Sequence, residues 1–245
     1  MSKKALAALC LIAVTGAMVV ISARWASAVS SASACGTTYA PVLDPANFVS
    51  VIDNPYFPLP VGRTLVYTGT KDGQTQMDTV TVTDQKRVIL GIDATVVSDI
   101  ATHDGTLLEK TFDFYAQDMQ GNVWYLGEDT TAFLANGKTD TSGSFLAGVD
   151  GAQPGIIMEA NPQIPDAYRQ ECYAGQAEDT AWVVGGSGSV EVPYGKVRNV
   201  LTTLESTRLE PGAYDEKVYG PGIGIVSERS LTGPIEYALL VSVTG

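Results

Sequence analysis

Leu108, Phe112, Phe114 and Ala116 fall on one side of an alternating stretch, and Glu109, Thr111, Asp113, Tyr115 and Gln117 on the other. A period of two is that of a β-strand with unlike faces. Asp118-Met119-Gln120-Gly121 follows, with Asp first and Gly fourth. Those choices suit a type I turn that closes a three-residue hairpin loop on a left-handed glycine. In that register Asp118 faces Asn122, Ala116 faces Trp124, Tyr115 faces Tyr125, Phe114 faces Leu126 and Thr111 faces Asp129. Burial then predicts Phe112, Phe114, Ala116, Trp124 and Leu126 on the core side. It leaves Glu109, Asp113, Tyr115, Tyr125 and Asp129 together on the outer face.

The same alternation predicts strands over residues 64–69, 75–83, 88–102, 106–116 and 123–127. It resumes over residues 180–184, 189–192, 197–209, 214–218, 224–229 and 237–243. Turn residues at 71–73 and 103–105 join some of these by links short enough to require antiparallel neighbours. The expected fold class is all-β: a mainly antiparallel curved sheet, either a half-barrel or a partly closed barrel, with a β-sandwich as the alternative. Residues 134–175 interrupt the pattern with Gly, Pro, Ser and Asn, apart from a short helical pattern near 166–173. Phe145, Val149, Ile156, Ile157 and Met158 give this insertion apolar groups to bury, so it is expected to pack as a cap over one end of the sheet. Pro55, Pro58 and Pro60 keep residues 53–62 out of any central strand. That stretch reads as an extended arm docked through Tyr56, Phe57 and Leu59.

The beginning of the chain changes the picture. Lys3 and Lys4 precede an apolar run over residues 5–21, and the small-residue sites Ala26-Ser27-Ala28 and Ala32-Ser33-Ala34 follow. This is the pattern of a secretory signal peptide. The expected organisation is a signal peptide over residues 1–28 and an extended arm over 29–62. A single antiparallel β domain over 63–245 then carries the capping insertion 134–175. Export to the periplasm or the medium follows. The alternative is anchorage at the cell envelope, through the uncleaved segment or through lipid on Cys35, because Ser33-Ala34-Cys35 resembles the end of a bacterial lipobox. Cleavage would also remove Cys10, leaving Cys35 and Cys172 in an oxidising compartment. A disulfide between them is expected, tying the arm to the body.

Of the 245 residues, 27 are acidic and all of these lie beyond residue 35, against 12 basic residues in the exported part, a net charge of −15. Such a balance excludes nucleic acid and anionic membrane surfaces as partners. Membrane contact is expected only through the signal segment or a Cys35 lipid. His103, the one histidine, sits in a turn. A Ser-His-Asp triad and a histidine-rich zinc site therefore lack their parts. Gly185-Gly186-Ser187-Gly188-Ser189 is not G-x-S-x-G and reads as a hairpin link. Gly220-Pro221-Gly222-Ile223-Gly224 lacks the dinucleotide spacing and reads as a turn. Glu171, Glu178 and Asp179 have no metal-loop spacing and read as loop caps.

Carboxylates and tyrosines are what remain. On the hairpin's polar face Asp113 and Asp129 would be diagonal neighbours, about 7–8 Å apart at the backbone. With Glu109, Tyr115 and Tyr125 they can form a wall for a small polar ligand; no cofactor is expected, with Ca²⁺ as the alternative that such oxygens could bind. A carboxylate pair can also cleave a glycosidic bond. The expected role is non-catalytic binding or envelope association with a small polar ligand, cation or lipid as partner. The alternative is a carboxylate-dependent extracellular hydrolase acting on saccharide.

Several phrases together resemble a group of uncharacterised exported bacterial proteins. They are Asn54-Pro55-Tyr56-Phe57-Pro58-Leu59, Tyr115-Ala116-Gln117-Asp118 with Gly121-Asn122-Val123-Trp124-Tyr125, Gly148-Val149-Asp150-Gly151-Ala152, and Pro221-Gly222-Ile223-Gly224. The resemblance spans most of residues 50–230 and implies export from a bacterial cell, but it supplies no activity or site residues. At the level of strand pattern the chain is also similar to periplasmic lipoprotein-carrier half-barrels, whose concave face holds an apolar ligand. The polar Asp113 face departs from such a groove.

Overall fold

The computed structural model describes residues 39–71 and 73–245. A single 3-10 turn at Pro45–Asn47 is the only helical element among them. The strands are β1 (Phe48–Val49), β2 (Thr64–Lys71), β3 (Gln74–Ile89), β4 (Ile92–His103), β5 (Thr106–Asp118) and β6 (Val123–Phe133). Residues 134–175 contribute β7 (Thr139–Asp140), β8 (Phe145–Leu146), β9 (Gln153–Met158), β10 (Ala167–Arg169) and β11 (Glu171–Cys172). The chain ends with β12 (Asp179–Val192), β13 (Gly195–Thr207), β14 (Asp215–Gly220), β15 (Gly224–Ser230) and β16 (Tyr237–Thr244).

All pairings are antiparallel, and the path runs β10-β12-β13-β14-β15-β16-β2-β3-β4-β5-β6-β9-β11. The sheet curls into a nearly closed barrel with one unsealed seam, as the alternating pattern predicted. Its two path ends, β10 and β11, are separated in the chain by Gln170 alone. Gly155 on β9 lies against the Gln170 backbone, where a Cβ would stand 2.3 Å from the carbonyl carbon. Glycine is needed for that approach. The helical pattern near residues 166–173 is overturned: this stretch is β10 and β11, paired through Tyr168↔Ala181 and Glu171↔Pro154.

The inner face has two tiers. Along β2 the inward positions read Leu65, Tyr67, Gly69, Lys71, and along β5 in reverse they read Tyr115, Asp113, Thr111, Glu109. The inward sets Val82, Val80, Asp78, Gln76 of β3 and Leu201, Thr203, Glu205 of β13 change in the same sense, as do Tyr219, Lys217 of β14 and Val226, Glu228 of β15. Antiparallel pairing brings the polar ends of these strands to one end of the barrel. The apolar end forms the main core and is stoppered by the arm, whose Ile52 and Phe57 pack with Leu65, Tyr67, Val82, Val97 and Tyr115. Asn54 locks the arm, donating to the carbonyls of Gly121 at 2.9 Å and Glu159 at 3.0 Å. Its own backbone N–H donates to Gln117 Oε1.

A second apolar cluster lies on the outer side of the wall. There Phe114, Ala116 and Leu126 pack with Ile89, Ile92, Ala94 and Val96, and Leu43, Phe48, Trp124 and Leu146 cover them. The expected orientation of the hairpin is therefore reversed. Its apolar face is buried outside the barrel, under residues 43–48 and 146–147, and its polar face looks into the barrel.

The expected signal segment lies outside the described residues, as does Cys35 with the lipid and disulfide readings that depend on it. Cys172 is buried on β11. Among the described residues no helix is long and apolar enough to cross a membrane.

Candidate functional site

The Asp118 turn closes as its residues dictate. Gly121 N–H donates to the Asp118 carbonyl at 2.9 Å, and Gly121 takes a φ of +97°. Tyr115 faces Tyr125 and Ala116 faces Trp124, as expected, but Phe114 then pairs with Gly127 and Thr111 with Thr130. A β-bulge at Leu126-Gly127 inserts the extra residue. Gly127 has a φ of +148°, and a Cβ there would stand 2.5 Å from the Phe145 carbonyl oxygen. Only glycine allows β8 to approach this closely. The bulge inverts the parity of everything after it. Asp129 turns outward and is exposed, while Glu128 takes the inward place opposite Asp113.

The structure thus brings Glu109, Asp113, Tyr115 and Tyr125 together on the inner face and separates Asp129 from them. Tyr115 and Tyr125 stack with centroids 4.9 Å apart, flanked edge-on by Phe57 and Phe145. The Tyr125 hydroxyl donates to Asp113 Oδ1 at 2.7 Å and lies 3.0 Å from Glu128 Oε2. One hydroxyl carries one proton, so at any moment it donates to one of the two carboxylates. Burial pushes the Asp113 carboxyl up to about 7, against the lowering influence of Tyr125 and Lys217. Asp129 instead borders a surface pocket of about 310 Å³ with Arg87, Ser144 and Asp150.

Sequence reasoning missed the rest of the acid tier. Burial drives the Asp78 carboxyl up to about 6, partly offset by a 2.7 Å hydrogen bond donated by Gln76 and by Lys71. It drives Glu228 up to about 8, offset by Lys217 and reinforced by Glu205, Asp215 and Asp78. Asp99 and Glu171 are held well above the usual carboxylate range, first by burial and then by neighbouring acids. Lys217 is fully enclosed. Burial opposes its charge, but Glu205 at 2.7 Å and Glu228 more than offset that cost and raise its pKa. The signal was present in the alternation: the inward positions of many strands turn from apolar to polar toward one end. Reading each strand alone made those positions look like solvent-facing residues.

This tier opens at the barrel mouth. A cavity of about 530 Å³ lies among the ends of three strand pairs. Its polar walls include Lys71, Gln74, Gln76 and Glu109; its apolar walls include Ala101, Leu107, Leu108, Ala132, Phe133 and Leu134. Ala101, Glu109 and Ala132 face one another in register along one of its walls. Ala101 and Ala132 on that wall carry side chains too small to fill the mouth. Among the described residues no group of three or more His, Cys, Asp or Glu side chains converges as a metal-ligand set.

No protein-family model matches the chain, and no curated protein matches it. Among solved structures it is similar to a Bacteroides fragilis protein described as exported and as having a YmcC-like fold. The two share 16% identity at a TM-score of 0.44, over 78% of this chain and 99% of that one. A Parabacteroides distasonis protein described as a lipoprotein aligns with 11% identity and a TM-score of 0.41, over 77% of this chain and 98% of that one.

Proposed function

We propose that this chain is an exported binding protein that holds a small ligand with both polar and apolar parts in the mouth of its barrel. The observation that carries the reading is the cavity of about 530 Å³ between Gln76, Ala101, Glu109 and Ala132. A concave, mostly apolar hollow with a few converging polar groups is the usual form of a small-molecule site, and barrel mouths are one of its usual places. The stoppered apolar end supports the same reading, because it leaves the polar end as the way in. Carboxylate-pair cleavage of saccharide has less support. Asp129 is on the wrong side of the wall, and Asp113 and Glu128 are tied up by Tyr125 behind the Phe57 and Phe145 rings.

Titration with the neutral solvatochromic dye Nile red tests this. The native protein is expected to bind it with a blue-shifted emission. Ala132→Phe, which fills the hollow, is expected to weaken that binding about tenfold or more while keeping a cooperative melt. Equal binding by the variant, or no binding by the native protein, would contradict the reading.

A further inference from the structure

Away from the mouth, the barrel wall is closed by one short stretch shared between two sheet edges. Ala167–Arg169 pairs with β12 through Ala167↔Trp182, Tyr168↔Ala181 and Arg169↔Thr180. Glu171–Cys172 pairs with β9 through Glu171↔Pro154 and Cys172↔Gln153. Gln170, between them, donates its backbone N–H to the Asp179 carbonyl at 2.9 Å. The β11–β9 register is the shortest along the sheet path, so it is the junction that opens at least cost.

Glu171, at this junction, is 1% exposed, and neither of its carboxyl oxygens has a hydrogen-bond partner among the described residues. The charges acting on it are Asp179 of β12, Glu128 of β6 and Asp113 of β5, all acids, against Lys217 of β14. That lysine is itself committed to Glu205 at 2.7 Å. Tyr125 of β6 also senses Glu171, and β9 brings no ionisable side chain. On β10, Arg169 lies over the Tyr39 ring at 5.4 Å and Tyr168 senses Glu205. A neutral carboxyl is tolerated in such a place, whereas an ionised one faces like charges without a donor. Burial, then Asp179 and Glu128, accordingly hold this carboxyl well above the usual range.

We infer that residues 167–172 are a proton-controlled latch: protonated Glu171 keeps the stretch clipped to both β12 and β9, and its ionisation, against Asp179, Glu128 and Asp113, frees β11 from β9 and opens the wall there. None of residues 167–172 lines the cavity at the mouth, so the latch stands apart from the binding reading. Opening returns Glu171 to water, where its carboxyl titrates at about 4.3. The closed latch therefore keeps a proton that the open one releases. Its stability is full below that value and falls as pH rises toward the raised value of the closed state.

Amide hydrogen exchange between pH 5 and pH 8, corrected for the intrinsic effect of pH on exchange, tests this. Protection of the facing Gln153 and Cys172 amides is expected to fall about tenfold per pH unit, the effect of one proton. It is also expected to stay below that of Val96 and Val97, in the middle of β4. Glu171→Gln is expected to make protection of this pair independent of pH, and Glu171→Met, apolar and of similar length, to do the same. The inference is overturned if protection of the pair in the native chain does not change with pH, if the same slope persists in either variant, or if the pair exchanges only as slowly as Val96 and Val97, with the molecule as a whole.

Discussion

Asp113 shows how one side chain can couple the interior to pH. Its carboxyl is buried, shares the Tyr125 hydroxyl with Glu128, and is pushed up to about 7 by loss of water, whereas in the unfolded chain it titrates near 4. Between those values the folded protein keeps a proton that the unfolded chain has released. Stability is then fully present below the unfolded pKa and is lost as pH rises through the folded one. Asp78, up to about 6, and Glu228, up to about 8, act in the same sense. The melting temperature is therefore expected to fall from pH 5 to pH 8.5. Asp113→Asn is expected to flatten that slope and to stabilise the protein at pH 8.5 by a few kcal/mol, since one pKa unit corresponds to about 1.4 kcal/mol. Calorimetric melts of both proteins across this range check it; identical slopes would mean that Asp113 is ionised in the fold.

Among the elements, the bulge at Leu126-Gly127 has the largest consequence, because it decides which acid of Glu128 and Asp129 enters the barrel. Gly127→Ala places a Cβ against the Phe145 carbonyl in a left-handed backbone region. It is expected to cost roughly 2 kcal/mol or more in urea unfolding; a change below about 0.5 kcal/mol, the size of an ordinary surface substitution, would mean that the bulge is not fixed there. The hairpin around Asp118 was legible in sequence because Asp-x-x-Gly and strict alternation agree. The Gly220–Gly224 turn was legible for similar reasons, and Gly220 does face Gly224. The bulge itself was not, since a glycine within a strand pattern does not announce a change of parity. Nor was the β3–β4 turn, where Leu90 and Gly91 both take positive φ, at 52° and 80°. Leucine in that position carries no turn signal. Gly185–Ser189, expected as a link, instead lies inside β12 as a bulged stretch. The hairpin closes at Pro193-Tyr194, where Val192 faces Gly195.

At the scale of the molecule, the alternation was sufficient for the curved antiparallel sheet but could not say which side of the wall faces inward. That depended on what covers the other side. Residues 43–48 and 146–147 bury the apolar face of β4, β5 and β6 from outside, so the acids go inward, and no local period encodes such distant coverage. The resulting barrel is apolar and stoppered at one end, acidic and hollow at the other. This asymmetry is the basis for reading the protein as a ligand holder. Backbone amide chemical-shift mapping during addition of Nile red tests it most directly. The largest shifts are expected at Gln76, Ala101, Leu107, Leu108, Glu109, Ala132 and Phe133. Shifts gathered instead around Arg87 and Asp129, or around Phe57 and Ile223 at the stoppered end, would contradict the account.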